Sequence, residues 1–349
     1  MKKVLDQCAR GLLCLCLRQA ATHGFLEAGP FVCRGLILCL AMGLNAVVVA
    51  QPYPTHPIRL VVPFAPGGGI DYVARLSAQR LQGLMQHNVI VDNRPGGGGI
   101  NGSDIVAKSQ ADGYTLLAVP ISHAVNISLN PKLPFHPQKD FAPIIEIASA
   151  PNIILIHPAL AATDVTQLLR LAKAQPNGLT YASSGLGSST HLASELFQML
   201  ANIQLLHVPY KGGGPALADL IGGQVAIYFA SLPASAPHMS SGRVRGLAVT
   251  GQKRSLSQPH LPTVTESGVP GYEYVGWYGL LAPKATSSQI VSKINTMMNR
   301  ALEKKDFAER LATDGAEPVG GTSLAFGNLI QSEIEKWAKV VQHMNGVRL

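Results

Sequence analysis

The chain lacks cysteine over most of its length. All five cysteines lie within the first 39 of its 349 residues. The residues after them therefore offer no disulfide framework, no thiolate nucleophile and no cysteine metal site. Charged residues are also scarce, at 14% of the chain. This low charge, with 35 glycines and 24 prolines, favours many turns between short elements over long helices or a disordered tail.

Clusters of basic residues are absent as well. The net charge of +8 is spread along the chain with no run of lysine and arginine, which argues against a nucleic-acid-binding protein. The 11 histidines show no His-Glu-x-x-His or similar metal-ligand spacing. The glycine run at residues 96–99 is not followed by the Lys-Ser/Thr pair that a phosphate-binding loop requires. We therefore expect neither a metal ion nor a cofactor.

Long hydrophobic runs are limited to one N-terminal segment. Residues 35–50 are apolar, follow Arg34 and end in the small residue Ala50, as in the hydrophobic region of a signal peptide. The segment is too short for a typical membrane span. The region before this segment, residues 1–34, is longer than the N-terminal region of a typical signal peptide. Either the true start codon lies downstream, or the segment stays as an uncleaved anchor. We expect an exported protein that is cleaved near Ala50.

From residue 57 onward, short β-branched runs alternate with helical patterns, which is typical of an α/β fold. The predicted strands are residues 58–64, 89–91, 115–119, 144–147, 152–156, 178–182, 205–209, 225–230 and 244–250. The predicted helices are one after Asp71, then residues 102–109, 166–174 and 190–200, one from Pro215 to a glycine stop at Gly222 and Gly223, and residues 288–304 and 325–341.

Two features predict two lobes. The strands at residues 144–147 and 152–156 are separated only by Ala-Ser-Ala-Pro, and a break without a helix suits a crossover between lobes. The aromatic-rich segment 272–283 then returns the chain to the first lobe, where we expect Trp277 and Tyr278 to pack near the hinge. The predicted division is a leader at residues 1–50, a discontinuous lobe 1 at residues 51–150 and 251–349, and lobe 2 at residues 151–250.

Twice, an apolar strand breaks into a glycine- or serine-rich turn that opens onto a helix. The first is the glycine turn, residues 65–71, and the second is the serine turn, residues 183–190. Such a turn lines up backbone N–H groups at the positive end of a helix, which makes a ready anion site. Two such turns suggest two lobes closing on one small acidic ligand. The candidate ligand-binding residues are Phe64, Gly68, Gly69, Asp71, Ser183, Ser184, Gly187 and Ser188.

Both turns also have ordinary structural explanations. Glycines permit tight turns, and Asp71 either caps its helix or holds ligand-bridging waters. Ser188 or Ser189 is expected to cap the second helix. The pair Gly185 and Gly187 lacks the third glycine and the acidic partner of a dinucleotide loop.

A catalytic interpretation of the serine turn is the alternative. An exported hydrolase would use one of the hydroxyls at residues 183–189 with His191 or His207. The sequence has no Gly-x-Ser-x-Gly elbow, and a serine and a histidine one to three residues apart rarely aim at each other. We therefore expect His191 to be an ordinary histidine on a helix face.

A set of short motifs runs in one order from residue 53 to the end of the chain. The motifs are Tyr53-Pro54, Pro57-Ile58-Arg59, residues 61–71 with Arg75, Asp92-Asn93-Arg94-Pro95-Gly96, residues 112–116, residues 181–191, residues 207–212, residues 247–250, Pro262-Thr263 with Glu266, and residues 277–283. Each motif is weak alone. The ordered set resembles the Bug family of periplasmic solute-binding proteins, the receptors of tripartite tricarboxylate transporters.

The resemblance implies a two-lobed venus-flytrap receptor of the type II periplasmic-binding-protein class. Such a receptor would bind a small carboxylate in the interlobe cleft without catalysis, through the same two turns. It implies a periplasmic monomer whose partners are membrane permease subunits or a sensor kinase ectodomain.

One departure from the family pattern concerns the ligand. Many members carry an aspartate directly after the phenylalanine that corresponds to Phe229, where a ligand ammonium group could pair. Here that position is Ala230. A ligand amine would lose a charge-assisted partner, although Asp71 could still serve. The resemblance therefore implies a di- or tricarboxylate or a related organic acid, in preference to an amino acid.

Overall fold

The computed structural model describes residues 53–313 and 315–343. The expected leader, its cleavage site and all five cysteines lie outside these residues. Within the described part of the chain, no helix combines the length and the hydropathy needed to cross a membrane.

Strands and helices alternate along the chain, as the sequence pattern predicts. The strands are β1 (Ile58–Val62), β2 (Val89–Asn93), β3 (Thr115–Pro120), β4 (Phe141–Ile156), β5 (Thr180–Ser183), β6 (Leu206–Pro209), β7 (Ile227–Ser231), β8 (Arg245–Val249), β9 (Val275–Pro283) and β10 (Glu317–Pro318). The helices are α1 (Gly69–Met85), α2 (Ile100–Ala107), α3 (Ser122–Leu129), α4 (Val165–Ala174), α5 (Ser189–Ala201), α6 (Gly213–Ile221), α7 (Leu232–Ser240), α8 (Ser288–Leu302), α9 (Lys305–Thr313) and α10 (Ser323–His343).

The strands follow the order β2-β1-β3-β9-β4-β7-β5-β6, with β8 and β10 also paired to β4. β1 is parallel to β2 and β3, and β5 is parallel to β6 and β7, whereas β9 runs antiparallel to β3 and β4. We call β2, β1, β3, β9 and residues 141–151 of β4 the first half of the sheet. The second half consists of residues 152–156 of β4 with β7, β5, β6 and β8.

The predicted break between residues 144–147 and 152–156 is wrong. The structure has one strand, β4, which pairs with β9 as far as Pro151 and then pairs with β7 from Asn152 onward. Proline is tolerated inside this strand because the strand changes partners there. The absence of a helix at this point is confirmed, and the chain passes directly from the first half of the sheet to the second.

Three helices were missed by the sequence pattern. The helix α3 buries Ser122, His123 and Asn126 together with its apolar residues, so it shows no amphipathic periodicity. The helix α7 contains Pro233 and Pro237, which normally mark a helix boundary. The helix α9 begins only three residues after α8 ends.

The two turns are fixed by the hydrophobic packing of the helices that follow them. In the first half, α1 buries Val73, Ala74 and Leu81 in the same core as Leu60 of β1. In the second half, α5 buries Leu192 and Phe197 in a core with Tyr181 and Phe229. Each large apolar side chain stabilises this packing by about 1.5–3 kcal/mol. The first turns of α1 and α5 are therefore held at the carboxyl ends of β1 and β5.

Candidate functional site

One cavity lies between the two halves of the sheet and includes both turns. Its lining from the first half is Phe64, Gly68, Gly69, Ile70, Pro120 and Tyr278. Its lining from the second half is Ser184, Ser189, Thr190, Gly213, Tyr228 and Ser231. No acidic or basic side chain lies among these described lining residues, so the polarity of the cavity comes from hydroxyl groups and backbone amides.

The glycine turn presents the amino end of α1 to this cavity. Gly68 is the N-cap, and its carbonyl oxygen accepts the first helical hydrogen bond from the Tyr72 N–H at 2.9 Å. The amides of Gly69 and Ile70 precede that bond, so they have no partner within the helix. These N–H groups lie at the positive end of the helix dipole, where an anion is stabilised.

Asp71 holds the glycine turn in shape. Its Oδ2 atom accepts hydrogen bonds from the Gly67 N–H at 3.0 Å and from Arg75 Nε at 2.9 Å, and its Oδ1 atom accepts one from Asn93 Nδ2 at 2.9 Å. Burial raises the pKa of this carboxyl, but the hydrogen bonds from Arg75, Gly67 and Asn93 outweigh it, and the pKa lies below the usual value. Both carboxylate oxygens are therefore engaged by the protein's own donors.

Replacing Asp71 by asparagine should destabilise the protein by about 2 kcal/mol at pH 7, because hydrogen bonds to a buried charged acceptor are lost. The pKa of Asp71 is depressed in the folded state, so its stabilisation is present above the unfolded-state pKa of about 3.9 and is lost as the pH falls through the lower folded-state value. Urea unfolding from pH 7 to pH 3 should show the wild type and the variant converging. The exposed pair Lys305–Glu309 supplies a control, since Glu309→Gln should change stability little. A constant difference at all pH values would contradict this role.

The serine turn is built in a similar way. The expectation that Ser188 or Ser189 caps α5 is confirmed for Ser188. Its Oγ accepts a hydrogen bond from the His191 N–H. Its carbonyl oxygen accepts the first helical bond from the Leu192 N–H at 3.0 Å. The amides of Ser189 and Thr190 precede that bond, so they have no partner within the helix, and both residues line the cavity. The Ser184 N–H donates to Thr190 Oγ1 at 2.8 Å, which closes the turn.

Hydroxyl groups complete the cavity. Ser184 Oγ hydrogen-bonds the Tyr228 hydroxyl at 3.1 Å, and Ser231 Oγ hydrogen-bonds the Tyr278 hydroxyl at 2.9 Å. Burial raises the pKa of Tyr228 to about 12, so its hydroxyl keeps its proton at neutral pH. Tyr278, which was expected near the hinge, lies in β9; it is buried and lines the cavity. Trp277 packs against Phe326 in the core.

The two halves touch at the rim of the cavity. The Ala65 N–H donates to the Lys211 carbonyl oxygen across the cleft at 3.0 Å. A Cβ atom added to Gly68 would lie 3.2 Å from the Gly213 nitrogen, and one added to Gly98 would overlap the Leu186 carbonyl oxygen. Glycine is thus required at Gly98, whereas at Gly68 a side chain would force the two backbones apart by a few tenths of an ångström.

The structure brings the glycine turn and the serine turn together, but their candidate residues take two positions. Four of them line the cavity: Phe64, Gly68, Gly69 and Ser184. The other four make hydrogen bonds that hold the turns: Asp71, Ser183, Gly187 and Ser188. Eight lining residues were not among the candidates. Ile70, Ser189 and Thr190 lie within the two turns, whereas the other five follow or belong to elements whose cavity-facing side only the fold reveals: Pro120, Gly213, Tyr228, Ser231 and Tyr278.

Ser183 and His207 form the Ser–His pair that the hydrolase alternative needs. Ser183 Oγ lies 2.6 Å from His207 Nε2, but the side chain of Ser183 is completely buried and its oxygen also accepts from the Gly185 N–H at 3.1 Å. A hydroxyl group sealed in this way is not presented to a substrate in the cavity. His191 lies in the first turn of α5, on the buried face of that helix.

No group of three or more histidine, cysteine, aspartate or glutamate side chains in the described residues is placed to hold a metal ion. An anion in this cavity would meet helix amino ends and hydroxyl groups. The arrangement is suited to reversible binding of a negatively charged small molecule.

The fold and the cavity define a two-lobed solute-binding protein of the periplasmic type. The sequence model of the tripartite tricarboxylate transporter family receptor matches residues 73–346, and the chain belongs to this family. It is 39% identical over 310 residues to the protein BugT of Bordetella pertussis, which covers 88% of this chain and 95% of that protein.

Solved structures support the same assignment. The Rpa4515 protein of Rhodopseudomonas palustris, solved with adipate, is 39% identical, with a TM-score of 0.82, and the match covers 84% of this chain and 98% of that one. MatC from the same organism, solved with bound malate, is 31% identical, with a TM-score of 0.79, and the match covers 83% of this chain and 100% of that one. The family is one of transporter receptors, so the chain is a receptor and not an enzyme, and the hydrolase alternative gains no support.

Proposed function

We propose that the chain is an extracytoplasmic receptor that binds a small di- or tricarboxylate, or a related organic acid, in the cavity between the glycine turn and the serine turn. The observation that carries the proposal is that two helix amino ends meet at one cavity whose described lining has no charged side chain. Each helix end stabilises one negative group. The relatives solved with adipate and malate hold ligands of this chemical class.

The proposed contacts to the ligand come from Phe64, Gly68, Gly69 and Ser184. Asp71, Ser183, Gly187 and Ser188 act through the hydrogen bonds that hold the two turns. No acidic side chain lies among the described lining residues of the cavity. Outside that lining, Ala230 is apolar, and both oxygens of Asp71 are engaged by other residues, so a ligand ammonium group has no acidic partner. Amino acids are therefore disfavoured as ligands.

We propose lobe limits at residues 51–150 and 251–349 for lobe 1 and residues 151–250 for lobe 2. The change of pairing partner at Pro151 in β4, and the return of the chain to β3 and β4 through β9, support these limits. Binding then corresponds to closure of the two lobes about these crossings.

The proposed setting of the receptor is the periplasm, with the leader cleaved near Ala50. A monomer would deliver its ligand to membrane permease subunits or present it to a sensor kinase ectodomain. The transporter family to which the chain belongs supports the permease as partner.

A thermal-shift screen of residues 51–349 tests the proposal. Small organic acids, amino acids, amines and sugars are added one at a time. We expect a di- or tricarboxylate at 100 times its Kd to stabilise the protein by about 2.7 kcal/mol. The proposal is wrong if no carboxylate raises the Tm and an amine or a sugar does.

A further inference from the structure

Three stacked rings lie directly behind the serine turn. The His207 ring stacks on Tyr181 with centroids 4.7 Å apart and an interplanar angle of 13°, and on His191 with centroids 4.3 Å apart and an angle of 15°. We call these three rings the histidine stack. Its members come from β5, the strand β6 and the first turn of α5, so it joins the elements on both sides of the serine turn.

Each imidazole of the stack holds one end of the serine turn. His207 Nε2 hydrogen-bonds Ser183 Oγ at 2.6 Å, at the start of the turn. His191 Nδ1 accepts from the Gly187 N–H at 3.2 Å, near its end. Ser184, which lines the cavity, lies between these two anchor points.

These hydrogen bonds dictate where the protons are. Because the Gly187 N–H points at His191 Nδ1, that nitrogen carries no proton, and the single ring proton is on Nε2. Among the described hydrogen bonds, the buried Ser183 hydroxyl meets only the Gly185 N–H, which is a donor, and His207 Nε2. We therefore assign the hydroxyl proton of Ser183 to His207 Nε2, with the ring proton of His207 on Nδ1. A second proton on His191 would place its Nδ1–H against the Gly187 N–H, two donors face to face, and remove that anchor of the turn. A second proton on His207 would make Nε2 a donor and leave the buried Ser183 hydroxyl proton without an acceptor.

The surroundings keep both rings neutral. Among the described residues, the titratable groups facing the two imidazoles are Glu195, whose Oε1 lies 3.9 Å from His191 Nε2, and Tyr181, whose hydroxyl hydrogen-bonds Glu195. Burial lowers the pKa of His191 to about 4, and burial together with the neighbouring His191 lowers the pKa of His207 to about 4 despite the opposing effect of Glu195. Both acceptor nitrogens are therefore available throughout the neutral range.

We propose that His191 and His207 are positioning residues for the ligand, whose unprotonated nitrogens hold the serine turn in its ligand-binding shape and release it on acidification. This inference rests on the proposed function, because it assigns the regulation of the same site. An apolar pair of equal volume would fill the space but would leave the Gly187 N–H and the Ser183 hydroxyl without their acceptors.

The first test is NMR spectroscopy of the ligand-free wild type from pH 7.5 to pH 3.5. We expect His191 to carry its proton on Nε2 and His207 on Nδ1 at pH 7.5. The amide signals of residues 184–188 should then shift with the same midpoint as the imidazole signals. A proton on His191 Nδ1 at pH 7.5, or turn amides that do not follow the rings, would overturn the proposal.

The second test is calorimetric titration with adipate of the wild type, His191→Asn and His191→Leu. Asparagine can accept from the Gly187 N–H without titrating, whereas leucine of similar size cannot accept. At pH 7.5 we expect the affinity of the asparagine variant for adipate to lie within roughly threefold of that of the wild type. The affinity of the leucine variant should be at least about tenfold lower, because a smaller fraction of its molecules has the serine turn in its ligand-binding shape. The exposed His260→Asn is the control for loss of a histidine.

Acidification separates the positioning role from simple packing. The carboxyl groups of adipate also titrate, so the readout is the ratio of the Kd values of the wild type and His191→Asn. At pH 3.5 the Kd of the wild type divided by that of His191→Asn should rise roughly fourfold. About a quarter of the wild-type His191 rings remain neutral at this pH, and only those molecules keep the binding-competent turn. A constant ratio, or wild-type affinity in the leucine variant, refutes the proposal. Failure of adipate to bind the wild type would count against the proposed function, and the NMR result would still decide the role of the stack.

Discussion

Replacing Gly214 by alanine should weaken ligand binding about 100-fold while leaving the ligand-free protein at least as stable as the wild type. Gly214 lies in the first turn of α6. A Cβ atom there would overlap the Pro66 carbonyl oxygen and lie 3.1 Å from the Pro66 carbonyl carbon and 3.3 Å from Gly67 Cα. Pro66 and Gly67 belong to the opposite half of the molecule, so the added methyl group strains only the closed arrangement.

The expected size of this effect is large because closure itself is blocked. Alanine is favoured over glycine in a helix by up to about 1 kcal/mol, so the open protein should not lose stability. If the added methyl group raises the free energy of the closed state by about 2.7 kcal/mol relative to the open state, ligand binding weakens about 100-fold. Calorimetric titration with adipate measures the affinity, and small-angle scattering should show that the variant no longer contracts when adipate is added.

Gly83→Ala is the matched control for this experiment. Gly83 lies in α1, and an added Cβ atom there meets nothing within 4 Å. This variant should show the helical stabilisation without any loss of affinity. If Gly214→Ala bound the ligand within threefold of the wild type, the contact between Pro66 and α6 would not belong to the binding state.

Replacing Ser184 by aspartate should eliminate the binding of anionic ligands, whereas replacing it by asparagine should not. Ser184 Oγ lies at the cavity, 3.1 Å from the Tyr228 hydroxyl and 3.3 Å from Thr190 Oγ1. An aspartate carboxylate would occupy the positive end of α5 and repel a ligand carboxylate in the same cavity. We expect the affinity to fall at least about 1,000-fold, which corresponds to about 4 kcal/mol.

Asparagine has nearly the same shape as aspartate, so the difference between the two variants isolates charge from size. We expect Ser184→Asn to retain binding within about tenfold of the wild type, as for the loss or distortion of one neutral hydrogen bond. Thermal shifts with a series of dicarboxylates would compare the two. If both variants lost the same affinity for dicarboxylates, the size of the side chain and not its charge would explain the loss. If Ser184→Asp bound a cationic ligand more tightly than the wild type does, the claim that the natural ligand is an anion would be contradicted.

The sequence predicts most of the fold because its signals are local. The strand-like apolar runs and the capping residues place β1, α1, β5 and α5 to within a few residues. The helix α3 could not be predicted, since its buried polar residues Ser122 and His123 remove the amphipathic pattern. The Ala-Ser-Ala-Pro segment at residues 148–151 predicts a strand break because a sequence does not show that a strand changes partners.

The candidate site was predicted in part for the same reason. A glycine turn at a helix start and a serine turn just before a helix are both local sequence features, so Gly68, Gly69 and Ser184 could be predicted at the cavity. The contribution of Tyr228 depends on which face of β7 points to the cleft, and that face is decided by long-range pairing with β4 and β5. The stacking of His191 on His207 likewise joins two elements whose proximity no local pattern reveals.

The most direct test of carboxylate capture by the two helix ends is an amide-resolved NMR titration of residues 51–349 with adipate or malate. We predict that the largest chemical-shift changes fall on the backbone amides of Gly69, Ile70, Ser189 and Thr190, with both turns responding at one common Kd. Saturable changes confined to residues outside the two turns, with these four amides unmoved, would contradict the account.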